Sequence, residues 1–491
     1  MKALPSIHKV IKFWARKPVE LYLGEVKSAK LVLDPFSGSG TSGIATMMVG
    51  GSAILADINP VAVFISWTLL NRHTLKEKLL KEFRELCGEL EREAYTLSIN
   101  GQRRILEYAV WITEFQCPQC GNWVDPRKAR YNKKLLKCKC CGTLFRPFIS
   151  TGKRDKVVSL SLDGYVVEDR RLIEEYQESE RAFTATSWHP RGEFKYEELG
   201  KEFEESPGIL APKLEDLFTR RNLYVASKLY EVIEDLWAED GDQGDLLKLA
   251  FIAALPQATK MIPHTDSSGP SWKLPRYWIP YIREERNFCR SFLRRLTLVR
   301  NFKNNWARIA KSYDISACFD FNSLPRLLLK TRKRVLILRC DARDLLDLNI
   351  RADVIVMDPP HYDEIHYFEL LYLWQKWLEG RYRDSRFSDY SFWRHEIDVN
   401  RVVGRKLSDY LSSIVLLVNK SKKLVRKGGR IVLILHNRSS EAFSWTVDAL
   451  RKEISGSFKM EIRKYWPKVR SSAQGIHGKG KFLYLIRLEK V

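Results

Sequence analysis

The chain has 491 residues, too many for one ordinary core, so two or three structural units are expected. Its 45% apolar and 12% aromatic content excludes a disordered chain, and no run approaches the roughly 20 apolar residues that span a bilayer. A formal net charge of +23 points to a partner rich in negative charge, with no membrane role.

The basic stretch Met1–Pro18 has no continuous apolar segment and no cleavage site, so no secretory signal is expected and the chain reads as cytoplasmic. Residues 31–75 read as strand, glycine turn, helix, strand (Ser52–Ala56), Asp57 and helix (Pro60–Leu70). The alternation then breaks between 76 and 329. It resumes with strands at 335–339 and 353–357, an aromatic helix over Tyr367–Leu378 and a long helix near 408–425. A strand at Arg430–Leu435, a helix near 441–454 and a strand at Phe482–Arg487 follow. This pattern predicts an α/β fold, a Rossmann-like parallel sheet built from 1–75 and 330–491. The domain is thus discontinuous in sequence, with 76–329 inserted as a cysteine-rich ribbon at 112–150 and a mainly helical part over about 155–329 that binds nucleic acid.

The charge is not spread evenly. Residues 112–160 hold 11 Lys/Arg against 3 Asp/Glu, 271–310 hold 10 against 2, and 458–491 hold 9 against 2, leaving the rest formally neutral. A thermophile surface explains many charges of both signs but not three one-signed blocks, so nucleic acid is the favoured partner. Met261–Tyr281 and the stretch from Trp466 through Lys481 mix aromatics or glycines with Lys and Arg, a combination that grips single strands and equally suits a buried connection.

Five of the nine cysteines fall within 25 residues. Cys117-Pro118-Gln119-Cys120-Gly121 and Cys138-Lys139-Cys140-Cys141-Gly142 form two Cys-x-x-Cys-Gly knuckles, each aiming two thiolates at one point. Four thiolates from Cys117, Cys120, Cys138 and Cys141 suit a structural, tetrahedral Zn²⁺, with Cys140 spare. The hairpin between the knuckles carries Arg127, Lys128, Arg130, Lys133, Lys134 and Lys137, a candidate grip on RNA or DNA. No cysteine follows a proline, which argues against carbon-5 pyrimidine methylation through a cysteine nucleophile.

Two motifs carry the chemistry. Asp34-Pro35-Phe36-Ser37-Gly38-Ser39-Gly40-Thr41 follows an apolar strand and opens a helix, where glycines let the backbone approach a nucleotide-like ligand. Asp358-Pro359-Pro360-His361-Tyr362 follows Asp353-Val354-Ile355-Val356-Met357 and projects a carboxylate and carbonyls, acceptors suited to an exocyclic amine. Together, in this order, they point to methyl transfer from S-adenosylmethionine to a base amino group.

These residues resemble the adenine-N6 and cytosine-N4 amino-methyltransferases, which carry Asp-Pro-Phe-x-Gly-Ser-Gly-Thr at the cofactor and Asp/Asn/Ser-Pro-Pro-aromatic at the base. Ile7-His8-Lys9 through Trp14-Ala15-Arg16-Lys17-Pro18 is similar to the opening of a related group of DNA methylases, whose base motif Asp-Pro-Pro-Tyr-Tyr-Asp is matched over Asp358 to Asp363. Archaeal enzymes that dimethylate cytidine N4 in ribosomal RNA look similar, with a Rossmann core and one large insertion. The resemblance covers the catalytic half well and the insertion loosely. It implies a class I fold in which Asp34, Phe36, Ser37, Gly38, Ser39, Gly40 and Thr41 line the methionine part of the cofactor. Asp57 would hold the ribose, Asp341 the adenine amine, and Arg16 or Lys17 the cofactor carboxylate, with Asn59 also at the cofactor. Asp358 and the prolyl carbonyls of Pro359 and Pro360 would accept from the target amine, and His361 or Tyr362 would stack on the base. His361 is a departure, since the family has a large aromatic there. RNA, with cytosine N4 of ribosomal RNA or the small ribosomal subunit as substrate, is preferred. DNA methylation of the same chemistry, guanine-N2 methylation of tRNA and a non-catalytic nucleic-acid scaffold are the alternatives.

Overall fold

The computed structural model describes residues 7–99, 101–129, 132, 135–194, 209–264, 277–320, 333–362, 366–400, 403–436, 440–454, 456, 458–466 and 483–491. Arg130, Lys133, Lys134, the 265–276 part of the aromatic-basic stretch, Asp363 and residues 467–482 lie outside them. Among the described residues one unit comprises 7–75 and 299–491, and a second comprises 76–194 and 209–298.

The first unit is built on eight strands: β1 (Leu31–Asp34), β2 (Ser52–Asp57), β3 (Asp314–Cys318), β4 (Arg334–Arg339), β5 (Ala352–Met357), β6 (Val425–His436), β7 (Phe458–Tyr465) and β8 (Leu483–Lys490). Their order is β3-β4-β2-β1-β5-β6-β8-β7; β8 runs antiparallel to both neighbours and every other pairing is parallel. The central strands are short Val/Ile/Leu runs buried on both faces, as a covered parallel sheet requires.

Two apolar layers cover this Rossmann-like sheet. On one face Leu33, Ile54, Leu336, Ile355 and Leu433 pack with Ile414, Leu417 and Val418 of α5 (Leu407–Leu424) and Val447 and Leu450 of α6 (Ser440–Glu453). On the other, Val32, Val354, Val356 and Val432 pack with Leu21, Tyr22 and Val26 of α1 (Val19–Val26) and Ala45 of α2 (Thr41–Met48). Helix α3 (Pro60–Leu70) is apolar nearly all round and correspondingly buried; Asn59 caps it and Pro60 sits at its first position. Helix α4 spans Tyr367–Glu379.

The connection order reverses between β1 and β5, the switch point at which doubly wound sheets open a crevice beyond their carboxyl ends. Register brings those ends level: Asp34 pairs with Leu55, Asp57 with Arg339, and Leu33 with Ile355.

The second unit contains the helices Glu77–Ala94, Arg170–Ala182, Arg220–Glu239 and Gly241–Ala254. It also contains a sheet in which Gln102–Gln116 pairs antiparallel with Lys153–Leu162 and Ile282–Arg286. Helices predominate from 155 onward among the described residues, beside the strand Lys153–Leu162, whose basic start hides its pattern in the sequence. One expectation needs correction. The return to the first unit comes at 299 and not 330, since β3, a polar edge strand without an apolar run, already belongs to the sheet. The charged edge strand β7 also goes unread in sequence, its side chains being mostly exposed.

A buried cation ties the 299–310 segment to this unit. Lys303 Nζ donates to the carbonyls of Thr68 (2.7 Å), Leu69 (3.3 Å) and Asn71 (2.7 Å) and to Asn71 Oδ1 (2.7 Å), and Trp306 Nε1 donates to Leu70 O at 2.7 Å. Together they satisfy the carbonyls that end α3, where a positive charge also suits the helix dipole. Lys303→Met is therefore expected to destabilise the protein by roughly 3 kcal/mol, read as a lowered denaturant midpoint; an unchanged midpoint would contradict the anchoring role.

Candidate functional site

At the end of β1, Asp34 Oδ1 accepts from Phe36 N at 2.9 Å and Oδ2 accepts from Ser42 Oγ, folding Asp-Pro-Phe into a side-chain-stabilised turn. Asp34 is 1% exposed and stands behind the loop, not in the cavity wall. Gly38 (φ +51°) and Gly40 (φ +76°) take left-handed conformations. A Cβ at Gly38 would lie 3.1 Å from the Phe13 ring, and one at Gly40 3.0 Å from Leu70 and Ser66. Ser37 N donates to Ala56 O at 2.8 Å, fastening the loop to β2.

Asp57, ending β2, accepts from Gly38 N and Asn59 N, both at 2.9 Å, so one carboxylate fixes two loops. Burial pushes its carboxyl up to about 6 against the opposing pull of those two amides. Burial likewise pushes Asp34 up to about 7, opposed by Ser42 and Phe36 and reinforced by Asp358 and Asp57. After β4, Asp341 caps the short helix Ala342–Leu345 and pairs with Arg343 at 2.5 Å; it reaches the cavity wall with its carboxylate already engaged.

The N-terminal segment lies along the same edge. Ala15 (φ +53°) turns the backbone so that Arg16 and Lys17 serve different partners. Arg16 Nε donates to Ser39 Oγ at 2.6 Å, and its Nη1 to Ile7 O and Ile11 O at 3.1 and 2.8 Å. Its Nη2 is buried with no protein partner. Burial lowers the guanidinium to about 9, still cationic at neutral pH. Lys17 Nζ donates at 2.8 Å to both oxygens of Asp358, and it lies 2.9 Å from Ala15 O and from His361 Nε2. Tyr22 Oη is 3.3 Å from Asp358 Oδ2.

These elements line a cavity of about 780 Å³ including its open mouth. The glycine loop, Asp57, Asn59, Asp341, Arg16, Lys17, Asp358 and Pro360 line it, so both motifs meet at one site. Gly40 and Pro359 do not line it. Neither does His361, which is buried against Lys17, nor Tyr362, whose ring packs 4.9 Å from Tyr410 inside the core. A left-handed backbone (φ +52°) accompanies this placement of Tyr362.

The site also holds residues the sequence did not single out. Phe13 stacks on Tyr367 (5.6 Å, 21°), whose hydroxyl donates to Trp14 O at 3.1 Å, and all three line the cavity. The adjacency of Phe13 and Trp14 to Arg16-Lys17 was the available signal. Glu396 lines the cavity from an irregular segment with no periodicity to announce it; burial, then Asp398, holds its carboxyl well above the usual range, and it accepts from Phe368 N at 2.9 Å. His366 and Arg405, at 2.5 and 2.6 Å from Asp398, hold that segment, and Val399 N bonds Tyr362 O at 2.9 Å.

S-adenosylmethionine fits the donor set. The unpaired Arg16 Nη2 suits a carboxylate, Asp57 keeps lone pairs for a ribose diol, and Ser37 Oγ and Asn59 Nδ2 are buried without protein partners.

In the second unit, Cys117, Cys120, Cys138 and Cys141 bring their sulfurs within 4.8 Å of one another and can hold a metal ion. Both knuckles are built alike: Gly121 N bonds Cys117 O and Gly142 N bonds Cys138 O, at 3.0 and 2.9 Å, with φ of +72° and +76°. Phe115, Val124, Leu136 and Phe145 pack beneath. Such a donor set closes a tetrahedral site and leaves no position for substrate. In the basic block at 271–310, by contrast, four of the eight described cations are used internally. Arg283 pairs with Asp155 at 2.6 Å, Arg286 with Glu284 at 2.6 Å, Arg290 with Glu91 at 3.1 Å, and Lys303 is buried.

No family model and no curated protein matches the chain. Among solved structures, NSun6 from Pyrococcus horikoshii with SFG is 18% identical over 38% of this chain and 45% of its own, with a TM-score of 0.20. TrmN from Thermus thermophilus is 16% identical over 36% of each chain (TM-score 0.15), and a methyltransferase homolog from Pyrococcus horikoshii is 11% identical over 38% of this chain and 58% of its own (TM-score 0.20). The matched part thus spans less than two thirds of each, and likenesses this remote bear no weight on fold or function. No helix among the described residues is long and apolar enough to cross a membrane.

The purified chain should carry one divalent ion per molecule by elemental analysis, and Cys138→Ser should lose it; metal-free protein of unchanged stability would contradict this.

Proposed function

We propose that the chain is an S-adenosylmethionine-dependent methyltransferase acting on the exocyclic amine of a base in RNA, with cytosine N4 of ribosomal RNA the preferred target. The observation that supports this is the convergence of the glycine loop and Asp358 on one cavity. The cofactor would supply an electrophilic methyl on a sulfonium. Arg16 would hold its carboxylate, Asp57 its ribose and Asp341 its adenine, while Asp358 and the Pro360 carbonyl would accept hydrogen bonds from the amine and orient it, the amine losing its proton during or after transfer. Catalysis would then come from positioning and from acceptors fixed before the substrate arrives. Phe13 and Tyr367, not His361 or Tyr362, offer rings to the cavity. The four-cysteine site would hold structural zinc, and its basic surface would meet the nucleic acid.

Asp57 makes cofactor binding pH-dependent. A folded-state pKa raised to about 6 contributes stability to the ligand-free protein that is fully present below about 4 and lost as pH rises through 6. Hydroxyl recognition needs the ionised carboxylate, so affinity moves the opposite way. S-adenosylhomocysteine should bind about tenfold more weakly at pH 5 than at pH 7.5 by calorimetry, and Asp57→Asn should be weak and flat; a flat wild-type profile would count against the assignment.

Nucleoside mass spectrometry of RNA and DNA from cells with and without the gene tests the reading directly. Loss of an N4-methylated cytidine from ribosomal RNA is expected, restored by the wild-type gene but not by Asp358→Ala. Loss confined to DNA would keep the chemistry and overturn the substrate.

A further inference from the structure

The sequence alone makes Arg16 and Lys17 interchangeable as partners of a cofactor carboxylate, yet their surroundings separate them. Arg16 keeps a buried nitrogen without a protein partner, whereas the ammonium of Lys17 is committed. Lys17 is 3% exposed, and its Nζ makes 2.8 Å contacts to both Asp358 oxygens and 2.9 Å contacts to Ala15 O and His361 Nε2. The contact to His361 has a chemical consequence. An ammonium has only donors, so at this contact the imidazole Nε2 would be the acceptor. Pro18 follows immediately, Ala15 precedes in a left-handed conformation, and Asp358 is followed by two prolines, so both backbones are held on either side of the pair.

We infer that Lys17 is a positioning residue for Asp358, clamping the carboxylate in one orientation beside His361, and that it does not bind the cofactor. This rests on the role proposed above for Asp358. Asp358 is only 13% exposed, and the groups that face it include the phenols of Tyr22, Tyr367 and Tyr410, the His361 ring and Asp34. Lys17, at 2.8 Å from both oxygens, supplies a compensating charge and keeps the carboxylate aimed, ready to accept from an amine without reorganising.

Two sets of measurements test this. In ligand-free protein, Lys17→Met should melt below wild type, with the gap widening between pH 5 and pH 8 as the stranded carboxylate is forced to ionise; Lys17→Met/Asp358→Asn should recover most of the loss. A pH-independent loss with no recovery would overturn the clamp. In methyl-transfer assays, Lys17→Met should lower kcat about 100-fold, leave S-adenosylhomocysteine affinity within about threefold, and add an acid limb to the pH profile. Lys17→Arg should restore part of kcat and remove that limb. Retained kcat with weakened cofactor binding would return Lys17 to the cofactor and refute the inference. Wild-type protein without any methyl transfer would refute the proposed function, while the melting series would still decide whether Lys17 and Asp358 act as a pair.

Discussion

The site depends on a single constraint: β1 lies between β2 and β5 with all three parallel and their carboxyl ends level. Parallel pairing sends the loops after Asp34, Asp57 and Met357 out of the same edge. Residues remote in sequence, such as Ser37 and Asp358, thereby come to line one cavity. Hydrogen bonds then fix the loops to each other. The Asp57 carboxylate, shared between Gly38 N and Asn59 N, is the clearest instance. A side chain at Gly38 would disturb this twice, through its left-handed backbone and through the ring of Phe13.

Charge burial is the cost of that arrangement. Arg16, Lys17 and Asp34 are buried and Asp57 is half-buried beside the cavity, and an unpaired ion there would cost several kcal/mol. Each arrives with compensation: Arg16 with two carbonyls and Ser39, Lys17 with Asp358, Asp34 with Ser42, and Asp57 with two amides. Such pairs add little net stability compared with well-packed apolar groups. Left-handed backbones at Ala15 and Tyr362 add strain of about 1–3 kcal/mol each. Stability therefore does not explain why the residues are there, whereas prearranged donors and acceptors around a ligand do. Lys303 follows the same rule with a purely structural result, spending a buried cation on the end of α3.

What could be read from the sequence was what repeats or clusters. Leu31–Leu33 and Val354–Met357 are apolar runs that can only be central strands, and Asn59-Pro60 is a helix start with a mechanism. The four cysteines were legible because knuckle spacing dictates where their sulfurs point. Edge strands β3 and β7 were hidden because a strand with one exposed face and a charged surface has no apolar signature. Within the site, identity was easier than orientation. Tyr362 has the right chemistry for stacking, but its backbone turns the ring into the core beside Tyr410. Glu396 and Tyr367 were unreadable as cavity residues because only the folded path of 380–400 and the docking of Phe13 bring them to the wall.

The same distinction between composition and placement applies to the net charge. Arg283, Arg286, Arg290 and Lys303 contribute to the count of +23 but answer carboxylates or helix carbonyls within the fold, so they offer little to an outside partner. The 112–160 block differs: Lys128, Lys137, Lys139, Arg146, Lys153 and Lys156 are all exposed around the four-cysteine ribbon. A divalent ion held by four thiolates carries a net charge of about −2, so part of this excess is balanced by the metal centre itself. What remains is a surface of separate cations on a small scaffold that the metal would rigidify. Each phosphate such a surface neutralises on a single strand would add roughly 0.7 to the slope of log affinity against log salt. Affinity from this source carries no sequence information. On the proposed function, choice of nucleotide would come from the cavity, where Phe13, Tyr367 and the acceptors at Asp358 and Pro360 are the groups that a base would meet.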